Sequence, residues 1–413
     1  MNEEKREENI GSPANEEACP KLEKKDLILS LAAILLCGCV LSGAIPTAWI
    51  TLAIAALFAY TVIAVRNRGA VTQVLLACVI ATVLTFMPVV GAVVLALILG
   101  TGTLSWLFMT LPKYKWAPAG VLALAYVLGC LVTANLISPL LAFAFVPAAA
   151  LMAWAHARDV GRTSTVLHAF LGFVVAVLAT LCVVLWRAYG SLNYDVLMTF
   201  LNELKRLFVT VGVEAGKMLW ETIEATTVPT AAQAESMEQL RRMYAELFSE
   251  SNLQVIADTL MGLAPAIVGI PTLIVSYLAD VVLLRKYYNT EWRSRMTPAA
   301  CALTISPAAG VIYFVCFLIA MFANGQSVFS MAVNNMYLLL VPGLCLIGVS
   351  AIIQNTKRAK GMIGVVYILF LVSMICCMGI SSFSFVALWG AYVTISAALH
   401  QKIMEKLKDR DQQ

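Results

Sequence analysis

Long apolar stretches, each of about 17–25 residues and free of Lys and Arg, follow one another along most of this chain. A stretch of this length crosses a bilayer as an α-helix, because backbone polar groups in hydrocarbon must be satisfied within the segment. Pro46, Pro88 and Pro139 stand where one apolar run must reverse into the next, as expected of a residue that interrupts helices. The pattern predicts twelve membrane spans, at residues 27–45, 47–65, 70–87, 89–111, 117–137, 139–157, 166–186, 259–284, 298–322, 336–354, 361–380 and 383–399.

Composition supports a membrane protein. Apolar residues make up 61% of the chain and charged residues 13%, with a mean hydropathy of +0.86. A soluble domain has about 45–50% apolar and 25% charged residues, so a soluble enzyme is excluded. The net charge is only +4, and no basic run is interleaved with aromatic residues, so nucleic acid is not an expected partner.

The basic residues predict an orientation. With the N-terminus in the cytoplasm, 22 of the 28 Lys and Arg fall in the two tails and the cytoplasmic loops, and the short outer turns contain none. The other six lie in the long segment 187–258, and long loops are largely exempt from the positive-inside rule. We therefore expect twelve crossings of a bacterial cytoplasmic membrane, with both termini cytoplasmic.

The segment 187–258 has its own amphipathic pattern. Two helices are predicted, one from Asp195 and one opened by a capping box of Ser236 and Gln239, separated near Pro229. A helical hairpin whose apolar faces pack on each other or lie on the outer leaflet is one interpretation, and a lid over a central cavity is the other. The apolar face of the first helix comprises Leu197, Phe200, Leu201, Leu204, Leu207, Phe208 and Val211.

These patterns predict an all-α polytopic bundle with an extracytoplasmic helical segment. Its five parts are a polar cytoplasmic tail at 1–26, a seven-span bundle at 27–186, the amphipathic segment at 187–258, a five-span bundle at 259–399 and a charged cytoplasmic tail at 400–413.

Asp280 is the single acidic residue that this span assignment leaves inside the bilayer. An ionisable group at membrane depth is a functional hypothesis by default, because placing it in hydrocarbon costs about 2.5–3.5 kcal/mol on insertion scales. Asp280 also lies about one helical turn from Arg285 and Lys286, so pairing at the cytoplasmic interface is the structural alternative.

Uncharged polar residues at membrane depth complete the predicted substrate site. Prolines inside the spans indicate interrupted helices of the kind with which transporters build binding sites, although small residues equally mediate plain helix packing. The candidate substrate-binding residues are Asp280, Thr101, Thr103, Ser105, Thr133, Asn135 and Ser306.

No residue pattern indicates catalysis or a bound cofactor. The chain contains no HExxH sequence and no CxxC pair, so neither a metal site nor a catalytic residue is predicted. Without a GxxxxGK[ST] motif, a transporter that used ATP would need a separate ATPase or coupling module as its partner.

Two stretches resemble the YybS-like family of uncharacterised bacterial integral membrane proteins. They are LAPAIVGIPTLIVSYLADVVLLRKYY at 263–288 and NNMYLLLVPGLCLIGVSAIIQNTKRAKG at 334–361. The layout of an N-terminal bundle followed by a long amphipathic segment is also similar to that family. A weaker likeness links such proteins to the substrate-binding membrane subunits of energy-coupling-factor transporters, which would imply a solute-binding bundle served by a separate ATPase.

Two functions remain open on the sequence. One is the solute-binding component of a small-molecule transporter, with a neutral or weakly charged solute. The other is a non-transporting membrane scaffold or envelope-assembly partner that acts through the segment 187–258. The lipid bilayer is the partner that both require.

Overall fold

The computed structural model describes residues 24–44, 88–110, 116–158, 160–226, 234–288, 305–322, 327–358 and 382–411. Within these ranges the regular structure is helical and contains no strand, which confirms the all-α prediction. The helices are α1 Lys24–Leu41, α2 Pro88–Thr110, α3 Trp116–Thr133, a 3-10 helix Ser138–Phe143, α4 Val146–Ala157, α5 Arg162–Tyr189, α6 Tyr194–Thr226, α7 Ala234–Leu247, α8 Glu250–Gly262, α9 Ala264–Tyr288, α10 Pro307–Phe322, α11 Val328–Arg358 and α12 Ser382–Asp411.

Seven helical segments of the described chain are long and apolar enough to cross a membrane, and each overlaps one predicted span. The apolar parts of α1 and α10, Leu27–Leu41 and Pro307–Phe322, are shorter than the 18 residues this requires. The predicted spans at 47–65, 70–87 and 361–380 lie outside the described residues, so the count of twelve stays a prediction. The seven segments are Val90–Thr110, Trp116–Thr133, Ser138–Ala157, Arg162–Tyr189, Ala264–Leu284, Val328–Ile352 and Phe383–Met404.

The amphipathic segment differs in detail from its prediction. The capping box at Ser236 is wrong, because α7 begins at Ala234 and Ser236 is already inside its first turn. A third helix, α8, was not predicted: the Ser249 side chain accepts a hydrogen bond from the backbone nitrogen of Asn252 and caps it. α8 ends at Gly262, so the next helix starts at Ala264 rather than at residue 259. Pro229 lies outside the described residues.

The chain divides into two compact units. The first comprises the described parts of Met1–Val177 and Val275–Ala302. Its core is centred on α2, which packs against α1 and α4 and is the most buried of the seven segments. An α-helix that is apolar on all sides is expected in such a buried position. Ile34, Leu99 and Phe145 are fully buried or nearly so in this core.

The second unit comprises the described parts of Leu178–Ile274 and Leu303–Gln413. In it, α11 and α12 approach each other closely at Gly348 and Gly390. A Cβ atom on Gly390 would collide with the carbonyl oxygen of Leu344, and one on Gly348 with that of Val386. Small residues permit this backbone contact, as is common between membrane helices.

Candidate functional site: a buried ion pair between two membrane helices

The only ion pair with a fully buried acid in the described part of the chain joins α5 to α9. The Arg162 Nε atom lies 2.8 Å from Asp280 Oδ2, and the Asp280 side chain is 1% exposed. The Arg162 side chain is 14% exposed. The residues are 118 positions apart in sequence and both belong to the first unit. A carboxylate on one candidate span is therefore paired with a cation from another.

Arg162 lies at the N-terminus of α5. It is the first residue of α5, directly after Gly161, whereas the predicted span begins only at residue 166. A cation at a helix N-terminus faces the positive end of the helix dipole, which is unfavourable unless an anion compensates it. Asp280 supplies that anion.

The guanidinium group of Arg162 also contacts an aromatic ring. Its Cζ atom lies 5.0 Å from the centroid of the Tyr277 ring. Tyr277 precedes Asp280 by three residues, so both side chains project from the same side of α9. The ring and the carboxylate together hold the guanidinium in one orientation.

Asp280 retains an acceptor that the described chain does not satisfy. Its Oδ1 atom is buried and has no hydrogen-bond partner among the described residues. The same holds for the hydroxyl oxygens of Thr101 on α2 and Thr165 on α5. A buried polar atom without a hydrogen-bond partner lowers the stability of the folded state by about 1–3 kcal/mol. A hydrogen bond between one of these atoms and another polar group would therefore be favourable.

A close helix contact brings α2 to the level of Asp280. A Cβ atom on Gly102 would lie 2.7 Å from the carbonyl oxygen of Ala279 and 2.8 Å from the Cβ atom of Val282. Thr101 directly precedes Gly102 in the sequence, and Asp280 directly follows Ala279. The approach of α9 thus explains why residue 102 is a glycine.

The other predicted site residues have local structural roles. Ser105 Oγ lies within hydrogen-bonding distance of two carbonyl oxygens, that of Thr101 at 2.8 Å and that of Ala149 at 3.0 Å, so it links α2 to α4. Thr103 is buried on the same helix. Ser105 therefore contributes to helix packing in the first unit.

Thr133, Asn135 and Ser306 lie at helix ends. Thr133 Oγ1 donates to the carbonyl oxygen of Gly129 at 2.7 Å in the last turn of α3. Asn135 Oδ1 accepts from the backbone nitrogen of Ile137 at 2.9 Å in the following turn. Ser306 Oγ accepts from the backbone nitrogen of Ala308 at 3.3 Å at the start of α10, in the second unit. The Thr133 bond is a back-bond within its own helix, and the Asn135 and Ser306 bonds are those expected of turns and caps.

Sequence reasoning missed Arg162, Thr165 and Tyr277. Tyr277 could have been found from its three-residue spacing to Asp280. Arg162 could not, because its place after Asp159 and Gly161 reads as an ordinary basic loop residue. Among the described residues, no group of three or more His, Cys, Asp and Glu is arranged to hold a metal ion.

The fold and this site define an α-helical membrane protein. Its candidate spans present large exposed apolar side chains, among them Leu131, Leu171 and Leu178, as expected of surfaces that face lipid. No protein-family model, curated protein or solved structure matches the chain.

Proposed function

We propose that this chain is the solute-binding component of a small-molecule transporter that lacks its own ATPase. The observation that carries the proposal is the buried Oδ1 atom of Asp280, which lies beside the Arg162 guanidinium and has no hydrogen-bond partner among the described residues. Ionisable groups inside a membrane protein are rare and mark substrate or ion pathways. If the Arg162–Asp280 pair served packing alone, the folded state would be more stable with a hydrogen-bond partner for each of its buried polar atoms.

The charge of the pair selects the class of solute. Arg162 and Asp280 together carry no net charge, so a neutral or zwitterionic polar solute would enter without leaving an uncompensated charge in the membrane. Oδ1 would accept a hydrogen bond from a hydroxyl, amide or amine of that solute. Thr101 and Thr165 supply hydroxyl groups in the same unit.

A proline within the helix that carries Asp280 supports binding over plain packing. α9 begins after the break at Leu263, and it carries Pro271 inside the helix, nine residues before Asp280. Transporters build their sites at such discontinuities, where backbone groups are available to a solute.

The proposal includes the predicted topology and partners. The chain would cross a bacterial cytoplasmic membrane twelve times, with both termini in the cytoplasm and with the layout of the YybS-like family. Energy would come from a cytoplasmic ATPase or coupling module, as in energy-coupling-factor transporters. The 22-to-6 partition of basic residues supports the orientation.

A double variant separates solute binding from stability. Arg162→Met with Asp280→Leu removes both charges together, and apolar replacement of a whole buried pair is often neutral for stability. Each purified protein is screened by thermal shift against neutral and zwitterionic solutes (amino acids, sugars, nucleosides and water-soluble vitamins). Small molecules that survive purification are identified by native mass spectrometry.

The matched control is a surface ion pair. Lys205→Met with Asp258→Leu removes a pair between α6 and α8 whose acid is 59% exposed. We expect a solute-dependent rise in melting temperature for the parent and for this control, and none for the Arg162/Asp280 variant. An equal rise in that variant, or no retained molecule and no shift in the parent, would contradict the proposal.

A further inference from the structure

α6 has two separate apolar faces. One packs on α8 and the turn before it: a Cβ atom on Gly216 would lie 2.5 Å from Cγ of Phe248 in that turn, and one on Gly212 would lie 3.0 Å from Leu253 Cδ1 on α8. The Trp220 ring lies 5.9 Å from the Tyr244 ring on the same side. These contacts form the interior of the three-helix segment α6–α8, so they account for only part of the apolar pattern of α6.

The second apolar face is exposed. Its side chains recur at three- and four-residue steps from Leu204 to Val211, and Met218 follows two helical turns later. Together they extend over about 21 Å at 1.5 Å per residue. We call this face the α6 stripe; it comprises Leu204, Leu207, Phe208, Val211 and Met218, with exposed fractions of 38%, 59%, 39%, 53% and 68%. Several exposed large apolar side chains on one side of a helix indicate an interaction site.

Continuity with the membrane spans identifies what covers the stripe. α5 is a candidate span that ends at Tyr189, and α6 begins five residues later at Tyr194. At the other end of the segment, only Leu263 separates α8 from α9, which contains the candidate span Ala264–Leu284. Both ends of the segment are therefore attached to helices that enter the bilayer.

A hydrogen bond sets the level of the stripe. The Tyr189 hydroxyl donates to Glu203 Oε2 at 2.5 Å, joining the last residue of the α5 span to the residue before Leu204. Trp186, in the last turn of α5, is 65% exposed. Trp and Tyr are enriched at the membrane–water interface, so the stripe begins at the depth where the α5 span leaves the hydrocarbon.

Charge selects the type of lipid surface. The segment 187–258 contains ten acidic residues and six basic residues. A net negative segment gains nothing from anionic headgroups, whereas apolar burial at a zwitterionic interface needs no charge attraction.

We propose that α6 is an interfacial helix whose stripe is inserted between the headgroups of a zwitterionic leaflet. The Gly212 and Gly216 face holds α7 and α8 on one side of the helix, and the stripe rests in lipid on another. The three-helix segment is thereby fixed against the membrane surface instead of extending into water. This placement is independent of whether the protein transports a solute.

Neighbouring positions on α6 provide matched tests. Nitroxide spin labels are attached to Leu207→Cys and Met218→Cys on the stripe, and to their chain neighbours Arg206→Cys and Lys217→Cys on the polar side. The background is a variant lacking the native cysteines, reconstituted in phosphatidylcholine nanodiscs. Power-saturation spectroscopy then compares label accessibility to oxygen, which concentrates in lipid, with accessibility to a water-soluble nickel chelate.

We expect the two stripe labels to be several-fold more accessible to oxygen than to the chelate, and the two polar-side labels to show the reverse. Stripe labels as accessible to the chelate as their neighbours would overturn the proposal. So would exclusion of both reagents, which would indicate a protein partner, or dipolar broadening between labels, which would indicate a second copy of the chain.

Discussion

Asn335 on α11 accepts a hydrogen bond from the backbone nitrogen of Ala266, at 2.9 Å through Oδ1. Ala266 is in the first turn of α9, where helix N–H groups have no partner within the helix. The Nδ2 atom of Asn335 also donates to the carbonyl oxygen of Gly262 at 2.7 Å, at the end of α8. One side chain thus satisfies both backbone ends at the break between two helices.

Replacement of Asn335 by Ala should destabilise the protein. Both backbone groups at the α8–α9 break would lose a partner in a partly buried site, so we expect a loss of about 1–3 kcal/mol in the free energy of unfolding. Thermal or denaturant unfolding in detergent measures it. Asn334→Ala is the control, since that residue makes neither bond, and a loss of equal size in both variants would contradict this role for Asn335.

Breaking the Arg162–Asp280 pair on one side should be more damaging than removing it entirely. Asp280→Leu leaves a buried guanidinium without its anion, at a cost of about 3–5 kcal/mol. Adding Arg162→Met should restore most of that stability. A double variant as unstable as Asp280→Leu alone would show that the two charges do not compensate each other.

Gly102→Ala tests the contact between α2 and α9. The new Cβ atom would meet the Ala279 carbonyl oxygen, and we expect a loss of about 1–3 kcal/mol from overpacking. Gly120→Ala on α3 is the control, because a Cβ atom there meets nothing within 4 Å. That change should be neutral or stabilising by up to about 1 kcal/mol, since Ala has a higher helix propensity than Gly. Equal melting temperatures for the two variants would refute tight packing at Gly102.

Thiol labelling tests the predicted orientation. In a background lacking native cysteines, Gln233→Cys should react with an impermeant thiol reagent in intact cells, and Asn355→Cys should not. The expectation follows from the concentration of 22 basic residues on the predicted cytoplasmic side. Gln233 belongs to the long segment 187–258, which the same partition places outside the cell. Reversed labelling would invert the orientation.

The sequence alone was sufficient for the class of fold and for most described helix positions. A bilayer forces each crossing segment to satisfy its own backbone, so apolar length is a local signal that does not depend on neighbours. The span predicted at 89–111 corresponds to Val90–Thr110, and the one predicted at 166–186 lies within Arg162–Tyr189. The single acid in the spans, Asp280, was identified for the same reason.

Tertiary structure decided which groups meet. No spacing rule connects Arg162 to Asp280 across 118 residues, or Asn335 to Ala266 across 69, because such pairs depend on how separate helices pack. The two faces of α6 show the same limit. Periodicity identifies Leu204 and Leu207 as apolar, but only the contacts of Gly212 and Gly216 with α8 and its preceding turn determine that a different face is packed. Apolar character is a property of each residue, whereas burial depends on the surface that lies opposite it.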